Sequence, residues 1–438
     1  MKAVEGWTTE QLGSVIKDIG DGGTPNTNKR EYFGGSIPWV VIQDIRKSIS
    51  TTKTTLTRLG LASCSAKLWP AGSVILSTGA TIGEVGLAEV PVATKQGIHG
   101  IVCKEEELSS QYLYYKLQTL RDFLNANAQG STIREIRANF LRTISISFPT
   151  SKPEQTKIAE ILSTVDLAIE QTAALIAKQQ RIKTGLMQDL LTRGINEHGN
   201  LRSEQTHQFK DSPLGRIPVE WKCCSLRDVT NVKQGLQIAI EKRFKEEGPK
   251  RYIYITVQYL NSPDKYLEYI ENPPVDLICN KDEILFTRTG NTGQIVSGVV
   301  GVFHNNFFKV NFNKHAVIKD YLILILRGKP IQDRILDLAG TTTIPDLNHG
   351  DFYSLPLLLP DLNEQKQIVE IVGALNSKIN NHRINLQKLR SIKTALMHDL
   401  LTGKRRVTAL LKDTEISNMI QEKTPQQAKV ARNLCRTQ

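Results

Sequence analysis

Two stretches of the chain, residues 151–193 and 361–403, carry apolar residues at alternating three- and four-residue steps. In the first these are Ile158, Leu162, Val165, Ile169, Ile176, Leu186 and Leu190. In the second they are Ile368, Val372, Leu375, Ile379, Leu386, Leu389, Leu396 and Leu400. Such spacing lays one stripe along a helix and forms the seam of a coiled coil. Polar Thr172, Gln179 and Lys183 interrupt the first stripe, and His382 and Lys393 the second. About 39 helical residues at 1.5 Å each span roughly 58 Å. Neither helix can bury its stripe alone, so an antiparallel pair is the simplest expectation. Ser151-Lys-Pro-Glu154 and Asp361-Leu-Asn-Glu364 read as capping boxes. There the first side chain accepts from a free helix N–H, and the Glu reaches back.

The remaining pattern is shorter in period. Apolar runs at Ser73–Ser77, Ile253–Val257, Ile284–Phe286 and Val296–Val302 are bounded by Gly, Asn and Pro and predict strands. Tyr112–Leu124 and Tyr321–Leu338 predict helices. The expected order is a mixed module at 1–150, a long helix at 151–193, a polar linker at 194–213, a second module at 214–360, a second long helix at 361–403 and a basic tail at 404–438. The fold class is α+β.

The two halves repeat. IKTGLMQDLLT at 182–192 matches IKTALMHDLLT at 392–402 in nine of eleven positions. Glu154-Gln155 matches Glu364-Gln365 at the same offset. Gly130-Ser-Thr-Ile133 pairs with Gly340-Thr-Thr-Thr-Ile344, and Val74–Gly79 with Ile284–Gly290. Trp7 and Leu12 pair with Trp221 and Leu226. Collinear matches over such a long period mean a duplicated unit with an internal pseudo-two-fold repeat, not a solenoid.

Composition adds limits. With 438 residues, 40% hydrophobic and 23% charged, the chain fits two or more globular domains. It has no apolar run long enough for a membrane span and no apolar leader in MKAVEGWTTEQLG, so a cytoplasmic protein is expected. The six cysteines show no metal-ligand spacing and read as reduced thiols. The net charge of +12 favours a polyanionic partner. The excess is thin in the modules, however: sixteen Lys/Arg against thirteen Asp/Glu in 1–150, and eighteen against sixteen in 214–360. Nucleic-acid binding then needs a local basic groove.

Catalytic motifs are missing. The sequence has no GxxxxGK[ST] loop, no GxGxxG fingerprint and no nucleophile–His grouping. Asn272-Pro-Pro-Val275 is similar to the Asn-Pro-Pro-aromatic motif of adenine methyltransferases, but Val275 replaces the stacking aromatic. A turn explains it better. Pro360-Asp361 with Glu364-Gln-Lys366 mimics a nuclease signature at a helix start, where capping accounts for both carboxylates.

The order module–helix–module–helix resembles the specificity subunits of type I restriction–modification enzymes. The local marks are Gly6-Trp7 with Leu12-Gly13, Gly215-Arg-Ile-Pro-Val-Glu-Trp221 with Leu226, Ser77-Thr78-Gly79, Thr287-Arg-Thr-Gly290, the Glu-Gln helix starts and the Lys-Thr-x-Leu-Met-x-Asp-Leu-Leu-Thr helix ends. The resemblance covers about 5–405 and leaves 411–438 unmatched. It implies two target recognition domains, each reading half of an asymmetric, split site in double-stranded DNA. It implies docking of two methyltransferase subunits, and through them restriction subunits. Those partners would carry S-adenosylmethionine, ATP and magnesium, while this chain would hold no cofactor and perform no catalysis.

Base reading needs Arg, Lys, Asn, Gln or Thr at a groove edge. The candidates are Thr24, Asn26, Asn28, Lys29, Arg30, Thr78, Lys95 and Gln96 in the first module. In the second they are Gln237, Lys242, Arg243, Arg288, Asn291, Thr341, Thr342 and Thr343. Helix pairing and partner docking are expected of Ile158, Leu162, Val165, Ile169, Leu186, Leu190, Ile368, Val372, Leu375, Ile379, Leu396 and Leu400. Two other readings stay open: the recognition subunit of a type II system with split recognition, and a coiled-coil adaptor that binds no DNA.

Overall fold

A computed structural model describes residues 4–130, 134–340 and 345–411. The chain divides into two units, Met1–Ala173 with Ile384–Gln438, and Ala174–Arg383. The long helices are Lys152–Thr192 and Leu362–Leu401, 41 and 40 residues. Each unit therefore holds one module and half of each long helix.

In the first unit, a five-stranded sheet runs in the order Ile16–Gly20, Ile98–Cys103, Val74–Ser77, Val85–Ala88, Ser48–Ile49. A second sheet orders Thr55–Leu56, Phe33–Val40, Val92–Thr94, Leu68–Trp69, with its central pair parallel. The ribbon Trp7–Gln11 with Ser145–Pro149 closes the module beside the helix start. One core joins Leu76, Ile101, Tyr112 and Phe148 to Ile158 and Leu162 of the first long helix and Leu400 and Leu401 of the second. An early stretch of one helix thus meets a late stretch of the other, which makes the pair antiparallel.

The second unit repeats this plan. One sheet orders Thr230–Gln234, Phe307–Phe312, Ile284–Thr287, Ile295–Ser297. The other orders Tyr269–Glu271, Arg251–Ile255, Gly301–Phe303, Ile278–Cys279, again with a parallel central pair. Lys222–Ser225 pairs with Pro356–Leu359. Here Leu190 shares a core with Ile368 and Val372, and Leu186 packs against it. The fold is α+β on an internal repeat, with the long helices forming an antiparallel coiled coil.

Of the seam residues, Ile158, Leu162, Leu190, Ile368, Val372, Ile379 and Leu400 are buried, whereas Val165, Ile169, Leu186, Leu375 and Leu396 are half-buried. Of the polar interruptions, Gln179 and His382 meet, with their Nε2 atoms 3.4 Å apart, while Lys393 pairs with Asp166 at 2.7 Å.

Several elements differ from expectation. The helix expected at Tyr112–Leu124 is two, Ser110–Gln118 and Arg121–Asn127. The one expected at Tyr321–Leu338 is Lys319–Arg327 and Lys329–Ala339. There Pro330 opens the new helix, since proline has no N–H to continue the old one. The run Ile253–Val257 ends its strand at Ile255, because Thr256 caps a short helix by accepting from Tyr259 N. The run Val296–Val302 serves two strands in different sheets.

The capping boxes also need correction. Asp361 does cap, accepting from Glu364 N at 2.9 Å. The Glu364 carboxylate turns away, taking both Arg202 guanidinium nitrogens at 2.5 and 3.1 Å, Trp221 Nε1 at 3.1 Å and Ile195 N at 2.8 Å. Glu154 does likewise with Arg406, at 2.6 and 2.7 Å. A charge-assisted guanidinium pair outcompetes a single backbone N–H. Gly194 (φ +61°) and Gly403 (φ +72°), just past the two helix ends, give room for Trp221 and Trp7. A Cβ on Gly194 would lie 2.2 Å from Glu364 Oε1.

Asn272 (φ +48°) sits in a turn after Tyr269–Glu271, and Val275, three residues on, is 85% exposed and has no ring to stack on a base. Among the described residues no His, Cys, Asp or Glu cluster could hold a metal, no helix is long and apolar enough to cross a membrane, and five cysteines are free.

Candidate nucleic-acid interface

In the first unit three loops meet at one sheet end. Asp21 follows the strand Ile16–Gly20, and its Oδ1 accepts from Gly22 N and Gly97 N, both at 2.8 Å. Gly97 O in turn accepts from Thr78 N at 2.8 Å and Gly79 N at 3.1 Å. Gly23 N donates to Thr94 O at 2.9 Å. His99 is buried beneath, 2.8 Å from the Thr78 hydroxyl and 3.7 Å from Asp21. Burial lowers the His99 pKa despite the nearby carboxylate. Loops 21–30, 78–83 and 95–97 are thereby fixed as one surface.

Thr24, Asn26, Asn28, Lys29, Arg30, Lys95 and Gln96 are exposed on that surface. Asn26 Oδ1 accepts from Asn28 N at 3.0 Å, which shapes the turn. Lys29 lies 3.3 Å from the Tyr32 hydroxyl. The side chains of Arg30, Lys95 and Gln96 have no partner among the described residues. Thr78 is different: it is fully buried and bonded to His99, so it cannot reach a groove. Arg58 escaped the sequence reading. Its helix, Arg58–Ala62, abuts the Arg30–Tyr32 turn through Thr57 N to Tyr32 O at 3.0 Å, and Arg58 is exposed. The signal was Thr57 as an N-cap. Asp21 as organiser was likewise missed, though Asp-Gly-Gly marks a turn.

The second unit builds the same junction from other residues. Leu236 N donates to Phe303 O at 3.2 Å, Gly235 N to Phe307 O at 3.1 Å and Arg288 N to Asn306 O at 2.7 Å. Asn305 Nδ2 reaches Gln237 Oε1 at 3.5 Å. Gln237, Lys242 and Asn291 are exposed there. Arg243 and Arg288 are committed to the module itself. Arg243 pairs with Glu268 at 3.0 Å and lies over the Tyr254 ring. Arg288 pairs with Asp346 at 2.6 Å and lies over the Phe308 ring. Neither is free to read a base. Thr341, Thr342 and Thr343 lie outside the described residues.

The arrangement defines a class: two like-folded modules, each presenting a loop-built polar face and each closed by halves of one helix pair. The family model of the type I restriction modification DNA specificity domain matches residues 4–179 and 218–389. The chain belongs to this family of type I restriction enzyme specificity subunits, whose members are non-catalytic. It is 28% identical to the MjaIX specificity subunit of Methanocaldococcus jannaschii, over 90% of this chain and 93% of that protein. It is 25% identical to the EcoprrI specificity subunit of Escherichia coli, over 87% and 90%. The fold is similar to the S subunit of M. genitalium, with a TM-score of 0.55 and 19% identity over 90% and 96%. It is also similar to a chain from a study of complex assembly and conformational transition in the type I system, with a TM-score of 0.59 and 16% identity over 92% and 99%.

Proposed function

We propose that the chain binds an asymmetric, two-part site in double-stranded DNA, one half per module, and docks two methyltransferase subunits, with restriction subunits joining through them. The observation that carries this is the unevenness of the duplication. Both modules build one loop junction, yet they put different side chains on it: Arg30, Lys95 and Gln96 in one, Gln237, Lys242 and Asn291 in the other. Unlike faces suit unlike half-sites, with exposed cations on phosphates and amides on base edges. The helix ends, by contrast, repeat even on their exposed side, where Ile182 and Ile392 are 50% and 48% exposed. Two copies of one apolar surface residue suit two copies of one partner. S-adenosylmethionine, ATP and magnesium would sit on those partners, in the cytoplasm.

The test is to co-express the chain with its cognate methyltransferase subunit and map methyladenine by long-read sequencing. A split, non-palindromic motif is expected. A contiguous palindrome, or no motif, refutes the reading. Arg30→Ala with Lys95→Ala should weaken binding and reduce its salt dependence by about one unit of slope per lost phosphate contact. Asn291→Ala should relax only the half read by the second module.

A further inference from the structure

The two units fill the space between module and long helices differently. In the first, Tyr115 donates to Asp166 at 2.7 Å, and Lys393 pairs with the same carboxylate. Lys116 Nζ donates to Leu401 O at 2.8 Å. The repeat puts Asn376 in place of Asp166 and Lys183 in place of Lys393. Tyr112 and Tyr321, whose hydroxyls bond Ser147 O and Leu358 O, align the module helices. In that alignment Leu324 and Ile325 replace Tyr115 and Lys116. The shorter, uncharged side chains leave a cavity of about 600 Å³, walled by Met187, Leu191, Leu324 and Pro330. Lys183 lines it and has no hydrogen bond or ion pair among the described residues.

We infer that this cavity receives an apolar side chain of the methyltransferase partner, with a neighbouring carboxylate pairing Lys183, so that the second unit binds its partner more tightly than the first. The inference rests on the docking reading above. The cavity opens beside Ile182–Thr192, the segment that both units present, so whatever docks on the repeat reaches it. Its volume suits a leucine or phenylalanine with room to spare. Of the cations on the rim, Lys329 is taken up by Asp333 at 2.5 Å and Arg327 by Ile295 O at 2.9 Å, which leaves the Lys183 ammonium to select a carboxylate from the partner. In the first unit the matching positions hold Tyr115 and Lys393 on Asp166, and the cavity of about 540 Å³ that Tyr115 lines there is walled by other residues, Lys47, Glu105, Thr156 and Ser163, with no counterpart of Met187 or Leu191.

The test is titration of the full chain with the methyltransferase subunit, followed by native mass spectrometry and calorimetry. Two steps are expected, with a populated one-to-one complex and a second step about tenfold weaker, a difference of about 1.4 kcal/mol. Lys183→Ala, a change that removes no hydrogen bond or ion pair among the described residues, should weaken only the tight step. Leu324→Tyr with Ile325→Lys should make the two steps alike, with thermal unfolding as the check on folding. Two equal steps in the unaltered chain overturn the inference and leave the docking reading standing. Absence of any binding overturns both. A homodimer of the free chain that Leu324→Tyr dissolves would overturn it as well.

Discussion

The two units share a frame and differ in how they close it. In both, the glutamine after the helix-start glutamate is fully buried and makes three bonds. Gln155 takes Ser109 N and donates to Glu107 O and Pro149 O, and Gln365 takes Ile318 N and donates to Ala316 O and Pro360 O. The glutamate is different. Glu364 has an arginine, an indole N–H and a backbone N–H. Among the described residues Glu154 has Arg406 alone, and Trp7 Nε1 is buried without a partner. Arg406 stands three residues after Gly403, and Arg202 eight after Gly194, so they are not aligned copies. The repeat preserves the buried carboxylate and lets any nearby arginine answer it.

That difference can be broken most sharply at the arginines. Arg406→Ala leaves the buried Glu154 with no donor among the described residues, and removing one partner of a buried pair costs about 3–5 kcal/mol. The low end applies, since Arg406 is partly exposed. Arg202→Ala leaves Glu364 two donors and should cost about half as much. Hydrogen-exchange mass spectrometry reports each unit separately. Equal losses in the two units would show that the extra donors on Glu364 contribute nothing.

The frame was legible in the sequence because its signals are local or repeated. A three-four apolar step needs no knowledge of a distant partner, and the matched Glu-Gln and Leu-Leu-Thr marks gave the duplication. What those glutamates bind was not legible. Their partners are 252 and 162 residues away, whereas a capping box needs only three. The loop cations failed for the same reason. Arg243 and Arg288 look exposed in sequence, but Glu268 and Asp346, 25 and 58 residues on, take them up. Arg30, Lys95 and Gln96, which have no such partner, sit where the sequence reading put them, on a loop face. The helix break at Gly328-Lys-Pro330 was written in the chain, while the one at Thr119-Leu120 has no proline or glycine to announce it.

The glutamines sharpen the comparison from the other side, since here the units should behave alike. Gln155→Ala and Gln365→Ala each strip one acceptor and two donors from buried backbone groups. A net bond is worth about 1 kcal/mol, and orphaned groups add to that, so about 2–3 kcal/mol is expected from each unit. Urea unfolding of the single variants, followed by exchange in each unit, checks it. A large loss in one unit only would mean that the matched bonds are not equivalent in energy.

The smallest expected effect concerns pH. His99 is buried under the first loop junction, with its pKa below the usual 6.5, mainly through burial. Strand register places Phe308, which does not titrate, at the equivalent site in the second unit. His304, elsewhere in that unit, is also lowered, by burial and then by Arg243. A folded base with a lowered pKa binds fewer protons than the unfolded chain between the two values. Stability therefore rises with pH across that window and falls as pH drops below about 6.5. Each unit should soften as pH falls below about 6.5, the first through His99 and the second through His304. His99→Gln, which can still bond Thr78, should flatten the pH dependence of exchange in loops 21–30 and 95–97 and leave the second unit's slope unchanged. If His99→Gln leaves the first unit's slope intact, the proton is taken up elsewhere, and the Asp21–His99–Thr78 junction is not what ties the first unit's loops to pH.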